Sequence, residues 1–285
     1  MNERADGGGA VPVLSISVVA YNKPDLLRAT LASVTQAAAN IPHELFVVDS
    51  ASQAVPWATI HADFRAACFL HSRRNLGFAA ANNVALRLCR GRYALLLNPD
   101  TLVSDTALEA LVAWMEQHPQ VGLAAPQLLQ PNGSAQPYSF GAAPTPAYLL
   151  RRLMAHMRGR YLHEWDGAQP LPVDWVAGSC LMVRRRALEE VGLLDERFFL
   201  YFEDVDWGLR FRQAGWHVVF LPMIAITHIG GGSVGQGASQ HYDRSLVRWY
   251  GKYYGQWLGF LVWLALRLYR RVLRLRQRVR RRLWG

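Results

Sequence analysis

The stretch Tyr93-Ala-Leu-Leu-Leu-Asn-Pro-Asp100 indicates how this chain of 285 residues folds. Residues 93–97 are apolar without interruption, which is typical of a strand buried on both faces of a parallel sheet. Polar residues follow at once, with Asn98 and Asp100 on either side of Pro99. Because ligands of open α/β sheets bind beyond the carboxyl ends of the strands, we expect this polar end to face a binding site.

A strand and an amphipathic helix are predicted at the start of the chain. Residues 13–20 form a β-rich run, and residues 21–25 then open a helix. Leu27, Leu31 and Val34 fall on one face of that helix, at spacings of three and four residues. This pair is the first strand–helix unit of the chain.

Two more strands are predicted before residue 93. Residues 45–48 form a strand that is expected to stop before Asp49, and residues 67–70 precede a helix that is expected to run to about Leu88. Four alternations of strand and helix predict an α/β fold, with a mostly parallel central sheet flanked by helices. Polar residues at the expected strand ends are Tyr21, Asn22, Asp49, Arg74 and Asp100.

Three carboxylates lie within four residues in the run Tyr201-Phe-Glu-Asp-Val-Asp-Trp207, with aromatic residues at both ends. A short helix is predicted to begin in this run and to be closed by Gly215. Glu203 and Asp204 then lie near its start, and apolar aromatic neighbours raise the pKa of a carboxyl group, which suits a general base near neutral pH. The aromatic residues in question are Phe198, Phe199, Tyr201 and Phe202. The alternative is that these acids only cap the helix, as we expect for Asp206.

Two common nucleotide-binding motifs do not occur in the sequence. Residues 20–24, after the first strand, contain no glycine for close approach to a pyrophosphate, and no Gly-Lys-Ser or Gly-Lys-Thr is found. A dinucleotide-dependent dehydrogenase and a P-loop NTPase are therefore disfavoured. The glycine-rich residues 230–237 are interpreted as a mobile loop, or alternatively as a flap over a diphosphate.

Several ordered motifs make residues 13–233 resemble glycosyltransferase family 2. They are Val18-Val-Ala-Tyr-Asn22, Val47-Val-Asp-Ser50, Asn75-Leu-Gly-Phe78, Asn98-Pro-Asp100, Ala177-Gly-Ser-Cys-Leu-Met-Val-Arg184, Glu203-Asp204 and His228-Ile-Gly-Gly-Gly-Ser233. The resemblance implies an inverting enzyme with the type A glycosyltransferase fold that uses a nucleotide-diphosphate sugar. Within the family, the set looks most like bacterial rhamnosyltransferases that act on lipid-linked saccharides.

The resemblance also implies roles for individual residues. Asp204 is expected to be the catalytic base, and Glu203 to be catalytic beside it by orienting Asp204 or binding the acceptor. The expected nucleotide-binding residues are Ala20, Tyr21, Asn22, Asp49, Arg74, Asn75, Gly77, Asn98 and Asp100. The expected acceptor-binding residues are Trp175, Gly178, Ser179 and Glu203.

A divalent metal ion, Mg²⁺ or Mn²⁺, is implied at the Asp-x-Asp position of the family. Here Asn98 replaces the first aspartate, which leaves Asp100 as the anionic ligand, with His228 as a second candidate ligand. Three alternatives remain open at this point. In the first, His228 is a packed residue and not a metal ligand. In the second, Arg74 is a solvated residue that does not bind phosphate. In the third, Trp175 is a core residue that does not stack on a sugar.

The implied reaction moves a deoxyhexose, rhamnose above all, from a nucleotide-diphosphate sugar to a lipid-linked saccharide in cell-envelope polysaccharide synthesis. A dTDP-sugar is the favoured donor. One alternative keeps the fold and changes the donor, and another is an inactive membrane-bound subunit that binds nucleotide sugar. Because a scaffold has no use for a separate base, the presence of Asp100, Glu203, Asp204 and His228 together favours the enzyme.

Basic charge is concentrated at the C-terminus. The net charge is +10, yet residues 241–285 contain twelve Lys and Arg against one Asp, and the remainder contains nineteen basic and twenty acidic residues. Residues 256–266 are apolar over less than the ~20 residues that span a bilayer. Leu268, Val272, Leu275 and Val279 then recur at helical spacing between arginines. This pattern favours a helix on an anionic membrane surface, and nucleic-acid binding is the disfavoured alternative.

These features predict a domain organisation. We expect a disordered segment at 1–12, a catalytic domain at 13–240 with nucleotide-binding and acceptor-binding halves meeting near 125, and a membrane-associating tail at 241–285. A surface helix is expected at 148–158. Three cysteines without paired spacing, of which Cys68 and Cys180 lie in apolar strands, indicate packing in a reducing compartment. The N-terminus has no hydrophobic signal region, so we expect a cytoplasmic protein on the inner face of the cell membrane.

Overall fold

The computed structural model describes residues 11–157, 167–230 and 238–283, and these residues form a mixed sheet with helices on both faces. The strands are β1 (Leu14–Ala20), β2 (His43–Ser50), β3 (Cys68–Ser72), β4 (Tyr93–Leu97), β5 (Thr101–Leu102), β6 (Val121–Leu129), β7 (Phe140–Gly141), β8 (Leu171–Pro172), β9 (Trp175–Val176), β10 (Cys180–Arg184) and β11 (His217–His228). The helices are α1 (Pro24–Ala37), α2 (Trp57–Asp63), α3 (Gly77–Leu86), α4 (Ala107–Gln117), α5 (Pro146–Met157), α6 (Arg185–Val191), α7 (Glu203–Gln213), α8 (Ala238–Tyr254) and α9 (Gln256–Leu283). The predicted disorder at 1–12 and the glycine-rich loop fall largely on residues outside these ranges.

The main sheet has the strand order β3-β2-β1-β4-β10-β6-β11-β5. Strands β1 to β4, β6 and β11 run in the same direction, whereas β10 is antiparallel to both of its neighbours and β5 is antiparallel to β11. Strand β8 pairs with β11, and β7 and β9 form a separate two-stranded ribbon. The predicted α/β fold with a mostly parallel sheet is confirmed.

Strand β4 lies at the centre of the core, as its unbroken apolar run predicts. All five of its residues are buried, with Leu95 facing the side that α1 and α4 cover and Leu96 the side that α6 and α7 cover. On α1, the predicted apolar face of Leu27, Leu31 and Val34 is buried as well. Apolar burial on both faces therefore holds the carboxyl end of β4 in a fixed place.

Some sequence expectations about the upstream strands are wrong in detail. Strand β2 does not stop before Asp49, because Asp49 and Ser50 continue the ladder with β3. Cys68 is exposed and is not packed, since β3 is an edge strand of the sheet. Helix α3 ends at Leu86, which is two residues earlier than expected.

The C-terminal residues form two helices, and the first of them packs against the segment that leads into α7. Trp249 and Tyr250 of α8 are buried in a cluster with Phe198 and Phe202. Helix α9 turns back along α8 so closely that a Cβ on Gly259 would lie 3.1 Å from the Gly251 Cα. Within the described residues, none of the helices combines the length and the apolar character needed to cross a bilayer.

Candidate active site

The carboxyl edge of the sheet brings together residues that are far apart in the sequence. Asp49 is the next-to-last residue of β2, and Asn98 follows β4. Strand β10 is antiparallel and pairs Cys180 with Leu97, so the residues that precede β10 lie at this same edge. The Asn98 amide donates to the Ser179 carbonyl at 2.9 Å, and the Asn98 side chain donates to Ser179 Oγ at 3.2 Å.

Asp100 and His228 are in direct contact at this edge. His228 Nε2 lies 3.1 Å from Asp100 Oδ1, and the two residues are 8 % and 1 % exposed. Pairing of β5 with the end of β11 places them together, and the Ile229 amide donates to the Asp100 carbonyl at 2.9 Å. The two residues predicted as metal ligands are thus adjacent, although 128 positions separate them in the chain.

Gln136 orients the His228 ring. Its Oε1 lies 2.7 Å from His228 Nδ1, and its backbone is held by a hydrogen bond from its amide to the Leu128 carbonyl. When Nδ1 carries the ring proton, it donates to Gln136, and the Nε2 lone pair faces Asp100. Metal-ligating histidines are usually oriented by such a second hydrogen bond. Sequence reasoning missed Gln136, because the loop that carries it has no motif.

This pair suits a divalent ion that has other ligands as well. A carboxylate oxygen and an imidazole nitrogen are both acceptable to Mn²⁺, whereas Mg²⁺ prefers oxygen ligands throughout. In the described part of the chain, His, Cys, Asp and Glu side chains do not gather in any group of three or more that could hold a metal. With Asn98 neutral, a bound ion would need oxygen atoms from a ligand to complete its coordination.

Glu203 and Asp204 occupy the first turn of α7. The two residues that precede this turn, Tyr201 and Phe202, have left-handed backbones with φ of 68°. Phe202 is the N-cap residue, and it makes no side-chain hydrogen bond that caps the helix. Asp204 Oδ2 accepts from the Gly178 amide at 3.2 Å, and Oδ1 accepts from the Val205 amide at 2.8 Å. Asp204 therefore satisfies one amide of its own helix and also reaches across to the strand edge.

Gly178 allows this close approach. A Cβ at Gly178 would lie 2.7 Å from the Phe78 ring, so a larger residue would push the segment away from α3. The predicted acceptor residues Gly178 and Ser179 therefore connect the Asp204 carboxylate with Asn98.

The two adjacent carboxyl groups have raised pKa values. Burial, and next the neighbouring Asp204 charge, raise the pKa of Glu203 well above its ordinary value. Burial also raises the pKa of Asp204, while the Gly178 and Val205 amides act in the opposite direction. Glu203 is 4 % exposed, and its Oε2 has no hydrogen-bond partner among the described residues. When the pair carries one proton, we therefore assign it to Glu203. Asp204 is then ionised and can accept a proton from a ligand.

The expectation that Asp206 caps α7 is wrong. Asp206 is fully buried and accepts from Arg210 Nε at 2.9 Å and from the Tyr253 hydroxyl at 2.7 Å. It also contacts Lys252 Nζ. Its carboxylate is paired with side chains of α7 and α8, because its position in the helix points it away from the helix end.

A second cluster of polar groups surrounds Asp49. Ala20 pairs with Asp49 in the β1–β2 register, so Tyr21 and Asn22 lie beside it. Asp49 Oδ1 accepts from the Ser52 amide at 2.8 Å, and Oδ2 lies 3.2 Å from His71 Nδ1. The structure thus brings the expected residues together and adds His71 and Ser52, which sequence reasoning missed.

The turn before α3 lies between the Asp49 cluster and the segment that leads into α7. Asn75 Oδ1 accepts from the Gly77 amide at 2.9 Å and from Ser50 Oγ at 3.1 Å. Gly77 has a φ of +72°, and a Cβ there would lie 2.3 Å from the Phe199 carbonyl oxygen. Arg74 is exposed on the same turn, and its pairing with phosphate stays a prediction.

Trp175 has a packing role in the structure. Its ring lies against Gly141, where a Cβ would be 2.8 Å away, and its Nε1 donates to the Ala142 carbonyl at 3.0 Å. It also packs against the cluster that contains Trp249. Sugar stacking by Trp175 is not needed to explain its position and stays a prediction.

Comparisons with known proteins show which family and which relatives this chain is similar to. The family described as Glycosyltransferase like family 2 matches residues 12–252. The chain is similar to N-acetylglucosaminyl-diphospho-decaprenol L-rhamnosyltransferase of Mycobacterium tuberculosis (strain CDC 1551 / Oshkosh), with 28% identity over 300 residues that cover 95% of this chain and 96% of the relative. It is also similar to dTDP-rhamnosyl transferase RfbF of Shigella flexneri, with 24% identity over 165 residues that cover 56% of this chain and 52% of the relative.

The fold is similar to that of a solved structure, GalNAc-T7 with UDP, GalNAc and Mn²⁺. The TM-score is 0.62 with 16% identity, over 84% of this chain and 47% of that chain. At this identity the similarity shows the fold alone. The chain spans about half the length of this structural neighbour.

Replacing Glu203 by Gln, an uncharged side chain of similar shape, tests the assigned proton. Because the pKa of Glu203 is raised, the folded protein holds this proton more tightly than the unfolded chain does. The wild type should therefore lose stability as the pH rises from the ordinary value of 4.5 toward the raised folded value, and Glu203→Gln should escape that loss. We expect the Tm of the variant, relative to wild type, to increase across this pH window in thermal unfolding.

Glu189→Gln is a matched control, because Glu189 is an exposed surface residue whose side chain is 62% accessible. Its Tm difference from wild type should not follow the same pH dependence. Parallel pH curves for wild type and Glu203→Gln would show that Glu203 has an ordinary pKa, and the assignment of the proton would be wrong.

Proposed function

The chain belongs to glycosyltransferase-like family 2 and is a glycosyltransferase, and from this premise we propose that it transfers rhamnose from dTDP-rhamnose to a lipid-linked saccharide with inversion. The family match covers most of the chain, and the similarity to the Mycobacterium tuberculosis rhamnosyltransferase extends over almost all of both proteins. That relative's name specifies a rhamnosyl donor and a lipid-diphosphate acceptor. The same chemistry is proposed for this chain.

The observation that carries this proposal is the position of Asp204, whose Oδ2 accepts from the Gly178 amide at 3.2 Å next to the contact of Ser179 with Asn98. Burial also raises the pKa of Glu203 and of Asp204. Asp204 takes the proton of an acceptor hydroxyl, whose oxygen forms a bond to the anomeric carbon. The bond from that carbon to the diphosphate breaks on the opposite face, and the electron pair leaves with the nucleotide. A single displacement of this kind inverts the anomeric centre. Because Glu203 is protonated and buried, it does not place a second negative charge near the attacking oxygen.

The donor base is assigned to the Asp49 cluster. A pyrimidine such as thymine presents one ring N–H, and the Asp49 carboxylate can accept it while the Ser52 amide holds Oδ1 in place. Tyr21 is 40 % exposed beside this carboxylate and can cover the base or the ribose. The name of the Shigella flexneri relative supports dTDP-rhamnose as the donor.

Asp100 and His228 would hold a divalent metal ion, with Mn²⁺ favoured over Mg²⁺ because one ligand is a nitrogen. Such an ion, when bound, supplies a Lewis acid that neutralises the charge of the departing diphosphate. Gln136 keeps the His228 ring in the required orientation. The presence of Mn²⁺ in the GalNAc-T7 structure supports this assignment.

Helix α9 is proposed to hold the enzyme on an anionic membrane surface. Its residues Leu258, Val262 and Leu266 pack toward α8, whereas the opposite face leaves large apolar side chains exposed. These exposed residues are Trp257, Phe260, Leu261, Leu264 and Leu268, with Trp263 and Tyr269 at the margin. Because α8 packs on Phe202 and Val205, which flank the proposed catalytic residues, we place the boundary of the membrane-associating segment at Gly255 and not at residue 241.

Charge complementarity identifies the proposed partner of this face. Arg267 stacks over Trp263 at 4.9 Å, and the sequence continues with eight more arginines to residue 282. In an interfacial helix, apolar side chains enter the acyl boundary and neighbouring arginines contact lipid phosphates. Location on the inner face of the cell membrane follows as part of the proposal.

Asp204→Asn tests the assigned base. The variant should lose transfer of rhamnose by a factor of about 10² to 10⁴, because the acceptor hydroxyl then loses its proton acceptor. Binding of dTDP-rhamnose, measured by calorimetry, should stay close to that of wild type and serves as the internal control. Transfer at the wild-type rate would mean that Asp204 only supports the start of α7.

Asp100→Ala tests the metal site. Because Asn98 is neutral, the variant should lose both Mn²⁺-dependent activity and the Mn²⁺-dependent part of dTDP binding. Calorimetry of dTDP with and without Mn²⁺ measures the second effect, and Asp105→Ala, at an exposed aspartate that contacts Gln36, is the matched control. Undiminished Mn²⁺-dependent binding by Asp100→Ala would refute the assignment.

Deletion of residues 256–285 tests the membrane face. Each Lys or Arg near an anionic leaflet contributes about 1 kcal/mol, so the intact protein should sediment with anionic vesicles at low salt and be partly released at high salt. The deletion should abolish this binding, slow transfer to a lipid-linked acceptor, and leave transfer to a soluble acceptor and dTDP binding unchanged.

A second variant keeps α9 and its packing on α8. Replacing Trp257, Phe260 and Leu261 with Ser should weaken vesicle binding and retain all the arginines. Equal, salt-independent binding of wild type to neutral and anionic vesicles would remove the electrostatic part of the proposal. If the wild type bound neither kind of vesicle, the membrane proposal would be wrong, and a nucleic acid or a protein would be the favoured partner of the tail.

A further inference from the structure

The buried carboxylate of Asp206 ties the proposed catalytic helix to α8. Two of its three side-chain partners, Lys252 and Tyr253, come from the last turn of α8, and the third is Arg210 on its own helix. Asp206 is 0 % exposed. Since a buried carboxylate is costly without opposite charge and hydrogen bonds, these partners determine where Asp206 can sit.

Lys252 also holds the segment that leads into α7. Its Nζ donates to Asp195 Oδ2 at 2.9 Å as well as contacting Asp206. Hydrogen bonds from Arg197, and to a lesser extent from Lys252, hold the pKa of Asp195 well below its ordinary value, so this carboxylate stays charged. One ammonium group thus bridges the loop before the helix and the first turn of the helix.

Little within α7 itself fixes where the helix begins. Tyr201 and Phe202 have left-handed backbones, which non-glycine residues seldom adopt without tertiary support, and no side chain at Phe202 caps the helix. Support comes from α8, where Ser245 Oγ donates to the Leu200 carbonyl at 2.8 Å and Trp249 packs near Phe202. The position of Asp204 therefore depends on contacts with α8.

We propose that Lys252 is a positioning residue for Asp204, acting through Asp206, with the Tyr253 hydroxyl in a supporting role. This inference rests on the proposed function of Asp204 as the base. Asp204 must stay within reach of the Gly178 amide and of the acceptor hydroxyl, and a displacement of about 1 Å at a reacting group can cost roughly 100-fold in rate. Nucleotide binding does not depend on this contact, because the Asp49 cluster lies on other elements.

Lys252→Met, which keeps most of the stem and removes the charge, is the primary test. With dTDP-rhamnose and a prenyl-diphosphate-linked N-acetylglucosamine acceptor, we expect kcat to fall by about tenfold or more while the Kd for dTDP changes less than about twofold. Lys252→Arg should recover part of the loss, because it restores a cation. Arg244→Met, at an exposed arginine of the same helix, should match wild type.

A double-mutant cycle separates positioning from a general loss of structure. If Lys252 acts through Asp206, Lys252→Met combined with Asp206→Asn should lower kcat no further than the more damaging single change. Multiplicative losses in the double variant, or wild-type kcat in Lys252→Met, would overturn the inference.

Two further results keep the test decisive. If Lys252→Met does not fold, Tyr253→Phe removes only the hydroxyl donor to Asp206 and should still lower kcat by about two- to fivefold with unchanged dTDP binding. Unchanged kcat in Tyr253→Phe would overturn the inference by that route. Loss of activity in Asp204→Asn with full activity in Lys252→Met would reject positioning and retain the proposed base, whereas full activity in Asp204→Asn would reject the base itself.

Discussion

The antiparallel placement of β10 between β4 and β6 is the constraint on which the site depends. The pairing of Cys180 with Leu97 means that the residues before β10 lie next to the residues after β4. Gly178 therefore meets Asp204 while Ser179 meets Asn98. A parallel strand in this place would bring its own carboxyl end to this edge. The glycine whose amide donates to Asp204 would then lie at the opposite edge of the sheet.

Three buried acidic groups around this edge have three different environments. Asp100 is paired with a histidine, and Asp206 is surrounded by two cations and a hydroxyl. Glu203 has neither kind of partner among the described residues, so burial raises its pKa and favours the protonated form. Protonation of Glu203 leaves the neighbouring Asp204 carboxylate able to accept a proton. The three acidic groups differ because different side chains pack against each of them.

Much of the site was predictable because its residues follow strands with strong apolar patterns. Asp100 lies three residues beyond the buried strand β4, and Glu203 and Asp204 stand where an aromatic run becomes a helix. Gln136, His71 and Ser52 were not predictable, since each meets its partner through a loop or a sheet edge without periodicity. Asp206 was misinterpreted for a related reason. An acid in the first turn of a helix is favourable at the surface, and its burial against α8 is visible only once the two helices are packed.

The sequence by itself determined the α/β class, the family, the positions of the first four strands and the identity of the acidic pair. These features depend on local apolar patterns and on short motifs, which are properties of neighbouring residues. Tertiary structure alone decided that His228 meets Asp100, that the Gly178 amide reaches Asp204 and that Lys252 holds Asp206. Each of these contacts joins residues on different elements, and it exists because strand order and helix packing bring distant parts of the chain to one edge of the sheet.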